Sequence, residues 1–229
     1  VKNLSTGEDM AADSYTADLA AGTVTFTGAP GAGTNTIEIG WTMAENFRGQ
    51  VLSMRWGELY AGTQDTRIFL YGDGSNKAIY SGLDYDGKPR ADYFPDLNEI
   101  SVGDANTPIT GMIRHYSRLI CFKESSAWTI QYGTISMADG LVTEAFYVTP
   151  VNRSIGNVAP GQVRLVLNSP RTLHGSDVYE WKNSGSYSSN LTVDERQAKR
   201  ISDRIYATVR KFDLENCYCY DDNWAQEYY

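Results

Sequence analysis

The chain has 229 residues, 41% of them hydrophobic, and a formal charge of −8 at neutral pH with a pI near 4.8. That length suits one large or two small domains with a substantial core, and no apolar run approaches the ~18 residues of a membrane-spanning helix. The acidic balance disfavours nucleic acid or an anionic membrane as a partner, because binding phosphate takes clustered Lys and Arg.

Sixteen Tyr against seven Phe point to strands with one wet face, or to an interface to be filled. The cysteines are three, an odd number, with no CxxC or His spacing for zinc. They read as buried or half-buried thiols from a reducing compartment. The first residues are polar and do not start with Met; no basic stretch followed by an apolar core marks a signal peptide. The last residues fall inside a strand pattern, so the expectation is a piece of a longer polypeptide.

In chain order, residues 15–27 read YTADLAAGTVTFT. Thr23, Thr25 and Thr27 share one face and Val24 and Phe26 the other, the period of a half-buried strand in a hairpin. GAPGAG at 28–33 breaks the pattern, and Ile37, Ile39 and Trp41 alternate again. Residues 1–46 are therefore expected to hold a small antiparallel β-unit and a linker, with a single helical turn at most in 44–49.

From residue 47 a hairpin grammar repeats. Residues 50–62 give a first strand, and 67–82, RIFLYGDGSNKAIYSG, give two strands around a Gly-Asp-Gly-Ser-Asn turn. The pattern returns at 118–133, RLICFKESSAWTIQYG, more loosely at 163–181, and last at 216–229. A β-hairpin repeat of roughly 40–50 residues is the signature of propeller blades. The expected fold is mainly β: a propeller-type array of antiparallel blades at about 47–103, 108–148, 150–182 and 203–229. Its predicted core includes Ile68, Leu70, Leu119, Ile120, Phe122, Trp128, Leu165 and Leu167. Residues 183–190, NSGSYSSN, form a polar loop. LTVDERQAKRISDRIYATVR at 191–210 sets Thr192 and Glu195 at capping-box spacing and Ala198, Ile201 and Ile205 at helical intervals. It predicts a helix over 193–206 that covers a sheet edge or docks a partner.

Few residues suggest chemistry. His115 and His174 lack a nucleophile elbow or triad order. Asp84 and Asp86 echo part of a calcium loop whose other ligands do not follow, and Asp and Gly are ordinary turn residues. Asp65, Asp73, Asp221 and Asp222 invite a two-carboxylate glycosidase reading without fixing a separation, and the Trp-containing aspartate box of sialidase-type propellers is not matched at 81–89. GAPGAG lacks the Lys-Ser ending of a phosphate loop. Trp128, Tyr132, Trp181 and Trp224 could stack on sugar rings, or pack between blades, since each falls at a similar place in its hairpin. The sequence points to no catalytic residue, metal ligand or cofactor site.

Several stretches resemble the β-propeller-containing virion proteins of tailed bacteriophages and prophages, components of tail, neck or baseplate. They are YTADLAAGTVTF at 15–26, DTRIFLYGDG at 65–74, DYFPDLNEISVG at 92–103 followed by PITG at 108–111, and RLICFKESSAWTIQYG at 118–133. The resemblance implies a non-enzymatic structural role in a large symmetric assembly, other virion proteins as partners, and synthesis in the bacterial host cytoplasm. It brings over no catalytic residue. A secreted or surface carbohydrate-binding or glycosidase-type propeller is the alternative. Because an incomplete ring leaves its terminal blades bare, the edge at 216–229 is expected to self-associate or rearrange, making a homo-oligomer possible.

Overall fold

The computed structural model describes residues 1–18, 21–29, 33, 36–40, 47–60, 66–84, 86–136, 142–182, 198–222, 224–225 and 227–228. Two compact units emerge, Val1–Glu45 and Asn46–Tyr229.

In the first unit, β1 (Lys2–Asn3) pairs with β2 (Glu8–Asp9) on one side and β5 (Ile37–Glu38) on the other, while β3 (Tyr15–Asp18) and β4 (Thr23–Phe26) form a hairpin. The alternation in β4 holds, with Thr23 and Thr25 exposed and Val24 and Phe26 half-buried. Phe26 lies opposite Tyr15, ring centroids 6.5 Å apart. Trp41 lies outside the described residues, as do residues 30–32, half of the GAPGAG breaker.

The second unit is built from three four-stranded antiparallel sheets in which strands follow one another in chain order. The first contains β6 (Trp56–Tyr60), β7 (Arg67–Tyr71), β8 (Lys77–Tyr80) and β9 (Glu99–Ser101). The second contains β10 (Ile109–His115), β11 (Arg118–Lys123), β12 (Ser126–Ser136) and β13 (Val142–Asn152). The third contains β14 (Arg164–Val166), β15 (Ser169–His174), β16 (Asp177–Trp181) and β17 (Ala198–Arg200). A helix, α1 (Phe47–Ser53), precedes β6, so the strand expected from residue 50 begins only at Trp56, where pairing with Tyr71 becomes possible.

The sheets stack face to face in series, and alternation along the central strands explains how. In β11, Leu119 and Cys121 point one way and join Tyr60, Phe69, Tyr71 and Ile100 of the first sheet in one apolar cluster. Ile120 and Phe122 point the other way and join Val163 and Trp181, with the Phe122 and Trp181 rings 5.1 Å apart. Both faces of β11 are thus buried, which is why its sequence is an unbroken apolar run rather than an alternating one. Full burial of a side chain such as Phe122 removes apolar area worth about 1.5–3 kcal/mol. The far face of the third sheet, with Leu173 and Val178, is covered by Val209, Leu214 and Cys219 of the C-terminal segment.

Polar groups tie the stack at its edges. Edge strand β10 lies against side chains of the first sheet, Tyr71 at the Met112 backbone and Glu58 at the Arg114 backbone. Tyr60 Oη donates to Ser117 O at 2.9 Å and accepts from Tyr132 N–H at 2.9 Å. Gly161, at φ +74 in the connection to the third sheet, donates its N–H to Thr110 O at 2.7 Å. A Cβ on Gly156 would stand 2.0 Å from Lys123 O, so only glycine admits that close approach of backbone to backbone.

Three expectations need correction. The helix over 193–206 is not found among the described residues: 193–197 lie outside them, Ala198–Arg200 is a strand, and the α-helical turn described nearby is α2 (Tyr206–Val209). The edge of β16 claims the segment, through Tyr179↔Arg200, Glu180↔Lys199 and Trp181↔Ala198. Ile201 N–H then donates to Val178 O at 3.0 Å, and Ser202 Oγ accepts from Val178 N–H at 3.1 Å and donates to Asp177 at 2.7 Å. Tertiary pairing overrides helical spacing there. Second, Leu165 and Leu167 are not core: they are 38% and 79% exposed. Leu167 and Asn168 form the two-residue loop between β14 and β15 with φ of +49° and +59°, the backbone signs of a type I′ hairpin turn. Third, Ile68, Leu70 and Trp128 are half-buried rather than buried, whereas Leu119, Ile120 and Phe122 are in the core. After α2 and a 3-10 turn at Leu214–Asn216, the described end of the chain pairs only β18 (Asp221–Asp222) with β19 (Glu227–Tyr228).

Candidate functional site

The residues that suggested chemistry are mostly occupied by backbone. His115, at the end of β10 and buried, pairs its Nε2 with Asn168 O in the β14–β15 turn at 2.9 Å. Burial holds its pKa below the ordinary value, and the Arg118 charge adds to that. His174, at the end of β15, pairs its Nδ1 with Glu124 O in the β11–β12 turn at 2.9 Å. The two imidazoles therefore act reciprocally between the second and third sheets, each reaching to a hairpin turn of the other. Tyr116 and Asn168, both at positive φ, join the first of these contacts through Asn168 Nδ2 to Tyr116 Oη at 2.7 Å.

The aspartates shape turns. Asp84 Oδ1 accepts from Asp86 N–H at 2.9 Å and Lys88 N–H at 2.7 Å, Asp73 Oδ1 from the N–H and Oγ of Ser75, and Asp222 Oδ1 from Trp224 and Ala225 N–H at 3.0 Å each. Asp221 is half-buried in β18, and Asp65 lies outside the described residues. Such carboxylates are consumed as local turn acceptors. Among the described residues, no group of three or more His, Cys, Asp or Glu is placed to hold a metal ion, and no helix is long and apolar enough to cross a membrane.

The candidate stacking aromatics separate into two kinds. Trp181 is 2% exposed, with its Nε1 donating to Thr172 Oγ1 at 2.8 Å. Trp128 and Tyr132 pack on the cluster between the first two sheets, Trp128 donating to Ser126 Oγ at 3.1 Å and Tyr132 lying 5.7 Å from the Phe146 ring. These three pack between sheets; Trp224 is 96% exposed. The thiols are free: Cys121 and Cys219 buried, Cys217 half-buried. Burial pushes Cys121 upward and Cys217 up to about 11, neighbouring Cys219 adding to the latter, so neither is an activated nucleophile.

Lys123 was not singled out by the sequence. It is 1% exposed, and its ammonium donates to Asp104 O and, at 3.0 Å, to Thr107 Oγ1. Burial lowers its pKa; the contacts pin the connection between the first and second sheets, a tie between residues far apart in sequence that leaves no local pattern.

One concave feature is present on the β8–β9 connection, a cleft of about 540 Å³ lined by Leu83, Asp84, Arg90, Asp92 and Tyr93. Arg90 grips Asp92 with two bonds of 2.8 Å, which holds the Asp92 carboxyl down to about 2. Tyr93, half-exposed, lies over Gly82, whose N–H donates to Tyr93 O at 2.7 Å. A flat aromatic beside a planar ion pair is chemistry suited to a polyhydroxylated ligand. Compared with protein-family models and with curated proteins, the sequence matches none.

Proposed function

We propose that this chain is a non-enzymatic structural component of a phage or prophage virion, of tail, neck or baseplate, acting through protein–protein contacts with other virion proteins. In this reading its sheets are blades of a β-propeller-type array. The observation that carries it is the serial face-to-face stack of three four-stranded meanders in one register, Phe69 and Tyr71 of the first sheet facing forward as Ile120 and Phe122 of the second do. Blade stacking of that kind leaves the histidines, the buried lysine and most of the described turn aspartates in structural duty. The test is location: an antibody against the chain should label purified particles from a phage-producing host, and mass spectrometry should find it there in fixed stoichiometry. A chain recovered only from the soluble or secreted fraction would overturn the proposal.

A second reading, a carbohydrate-binding propeller, is favoured by the Tyr93 cleft. It expects saturable binding to a glycan panel that Tyr93→Ala abolishes.

A further inference from the structure

The stack has a direction. In the first sheet Phe69 and Tyr71 face forward onto the second; in the second, at the same register, Ile120 and Phe122 face forward onto the third. Each following sheet receives that contact on its rear face, as Leu119 and Cys121 do, both 0% exposed. The rear face of the first sheet carries the equivalent positions, Ile68 and Leu70, cross-strand from Leu59 and Ile79. Here burial is uneven: Ile79 is buried at 6% exposure, Ile68 and Leu70 are half-buried, and Leu59, toward the β6 edge, is 51% exposed.

At the opposite end, the C-terminal segment alternates. Cys217 and Cys219 turn inward onto the third sheet, while Tyr218 and Tyr220 turn outward, 88% and 64% exposed; Trp224, four residues past Tyr220, is 96% exposed. The inward side is anchored, with Arg164 Nε donating to Cys219 O at 2.9 Å and Cys219 N–H to Gln162 Oε1 at 3.0 Å. So the segment covers the third sheet as a following layer, and its outward side is a forward face with nothing described in front of it.

We infer that these two faces are made for each other: the rear face of the first sheet, Leu59, Ile68 and Leu70, docks the Tyr218, Tyr220 and Trp224 face of a second copy of this chain. The established contact between the first two sheets supplies the precedent, since there an aromatic forward face (Tyr60, Phe69, Tyr71) seats on an aliphatic rear face (Met112, Leu119, Ile130). The new contact continues that same pairing across molecules. Because the two faces differ, the association is heterologous, head to tail, and propagates the stack or closes it into a ring. Half-buried aliphatics receive aromatic rings that bury large areas at small entropic loss. The inference is independent of the virion role and holds for the isolated chain.

Two variants test it. Leu59→Glu places a charge on the rear face, and Tyr218→Ser with Trp224→Ser strips the forward face; all three positions are exposed enough for folding to persist, which circular dichroism and thermal melting verify. In sedimentation across a concentration series the wild-type chain should associate beyond a monomer, and each variant should weaken this by at least about tenfold. Mixed one to one, the two variants should form a dimer and nothing larger, because each retains the face the other lacks. A wild-type chain that stays monomeric up to about 1 mM, the weak end of specific association, overturns the inference. So does a mixture of folded variants that stays monomeric, or one that grows past the dimer.

Discussion

The central strands β11 and β15 occupy the same place in consecutive sheets and are built by different chemistry. β11 reads RLICFK and fills both its faces with apolar side chains. β15 reads SPRTLH: toward the second sheet it offers Thr172, which accepts from the buried Trp181 indole, and on its other face it pairs Arg171 with Glu180 across the strand at 2.7 Å, side chains 10% and 17% exposed. The Arg171 NH1 atom meets no hydrogen-bond geometry despite that distance, so the contact is an ion pair more than an aligned bond. The same architecture can therefore be held by area removed from water or by polar groups that satisfy one another, and the second route is far more vulnerable to the loss of one partner.

That contrast can be broken experimentally. The largest effect is expected from Phe122→Ala, which should cost about 3–5 kcal/mol in denaturant unfolding because the void lies between two packed sheets; a loss under about 1 kcal/mol would mean that β11 is not clamped on both sides. Glu180→Ala should cost about 3 kcal/mol by leaving Arg171 charged and nearly buried, whereas Arg171→Met with Glu180→Leu should recover most of it. Failure of the double variant to recover would show that the pair does more than neutralise itself. Thr172→Val keeps shape but orphans the Trp181 N–H, and a loss of about 1–3 kcal/mol is expected, with red-shifted or broadened Trp181 fluorescence as a second readout.

The smallest effect is that of pH on the histidine contact. Burial holds His115 below its ordinary value of 6.5, so on acidification the unfolded chain takes up the proton first. The stability it contributes is present above that ordinary value and is lost as pH falls through the lower folded value. Unfolding midpoints should drop over that window in the wild-type chain and drop less in His115→Gln; equal slopes would remove His115 as the cause.

Sheet 2 was legible in the sequence because a strand buried on both faces leaves a continuous apolar run bounded by turn residues, and Leu119, Ile120 and Phe122 were found that way. The third sheet was legible only as a loose hairpin pattern over 163–181, which β14 to β16 fill; its turn and its last strand were not, for reasons that differ by residue. Leu167 looks like core by composition, yet it sits at the tip of a two-residue turn where φ is +49°; a two-residue hairpin signal normally needs Asn-Gly or its like, and Leu-Asn does not announce it. Ala198, Ile201 and Ile205 have helical spacing, but the demand of the β16 edge for a partner is non-local and leaves no mark in that window. The reciprocal histidine contacts join residues 53 and 50 positions apart, so neither was readable from either neighbourhood. The half-exposed Tyr93 and the Arg90–Asp92 pair lay in a stretch of Asp, Gly and Pro that reads as loop by composition, and the resemblance drawn on 92–103 named no ligand site there.

The serial stack also sets the order in which the molecule comes apart. Each sheet is a meander of consecutive strands, so its internal pairing is local in sequence and can form or melt as one cooperative unit, while the contacts between sheets couple only nearest neighbours. The first sheet opens by losing one interface and the third by shedding its C-terminal cover. The second opens only when both of its neighbours let go. Amide hydrogens along β11 should therefore be the slowest in the chain to exchange with solvent, those of β7 and β15 faster, and the short β18–β19 pair fastest of all, giving a gradient that falls from the middle of the stack toward its ends.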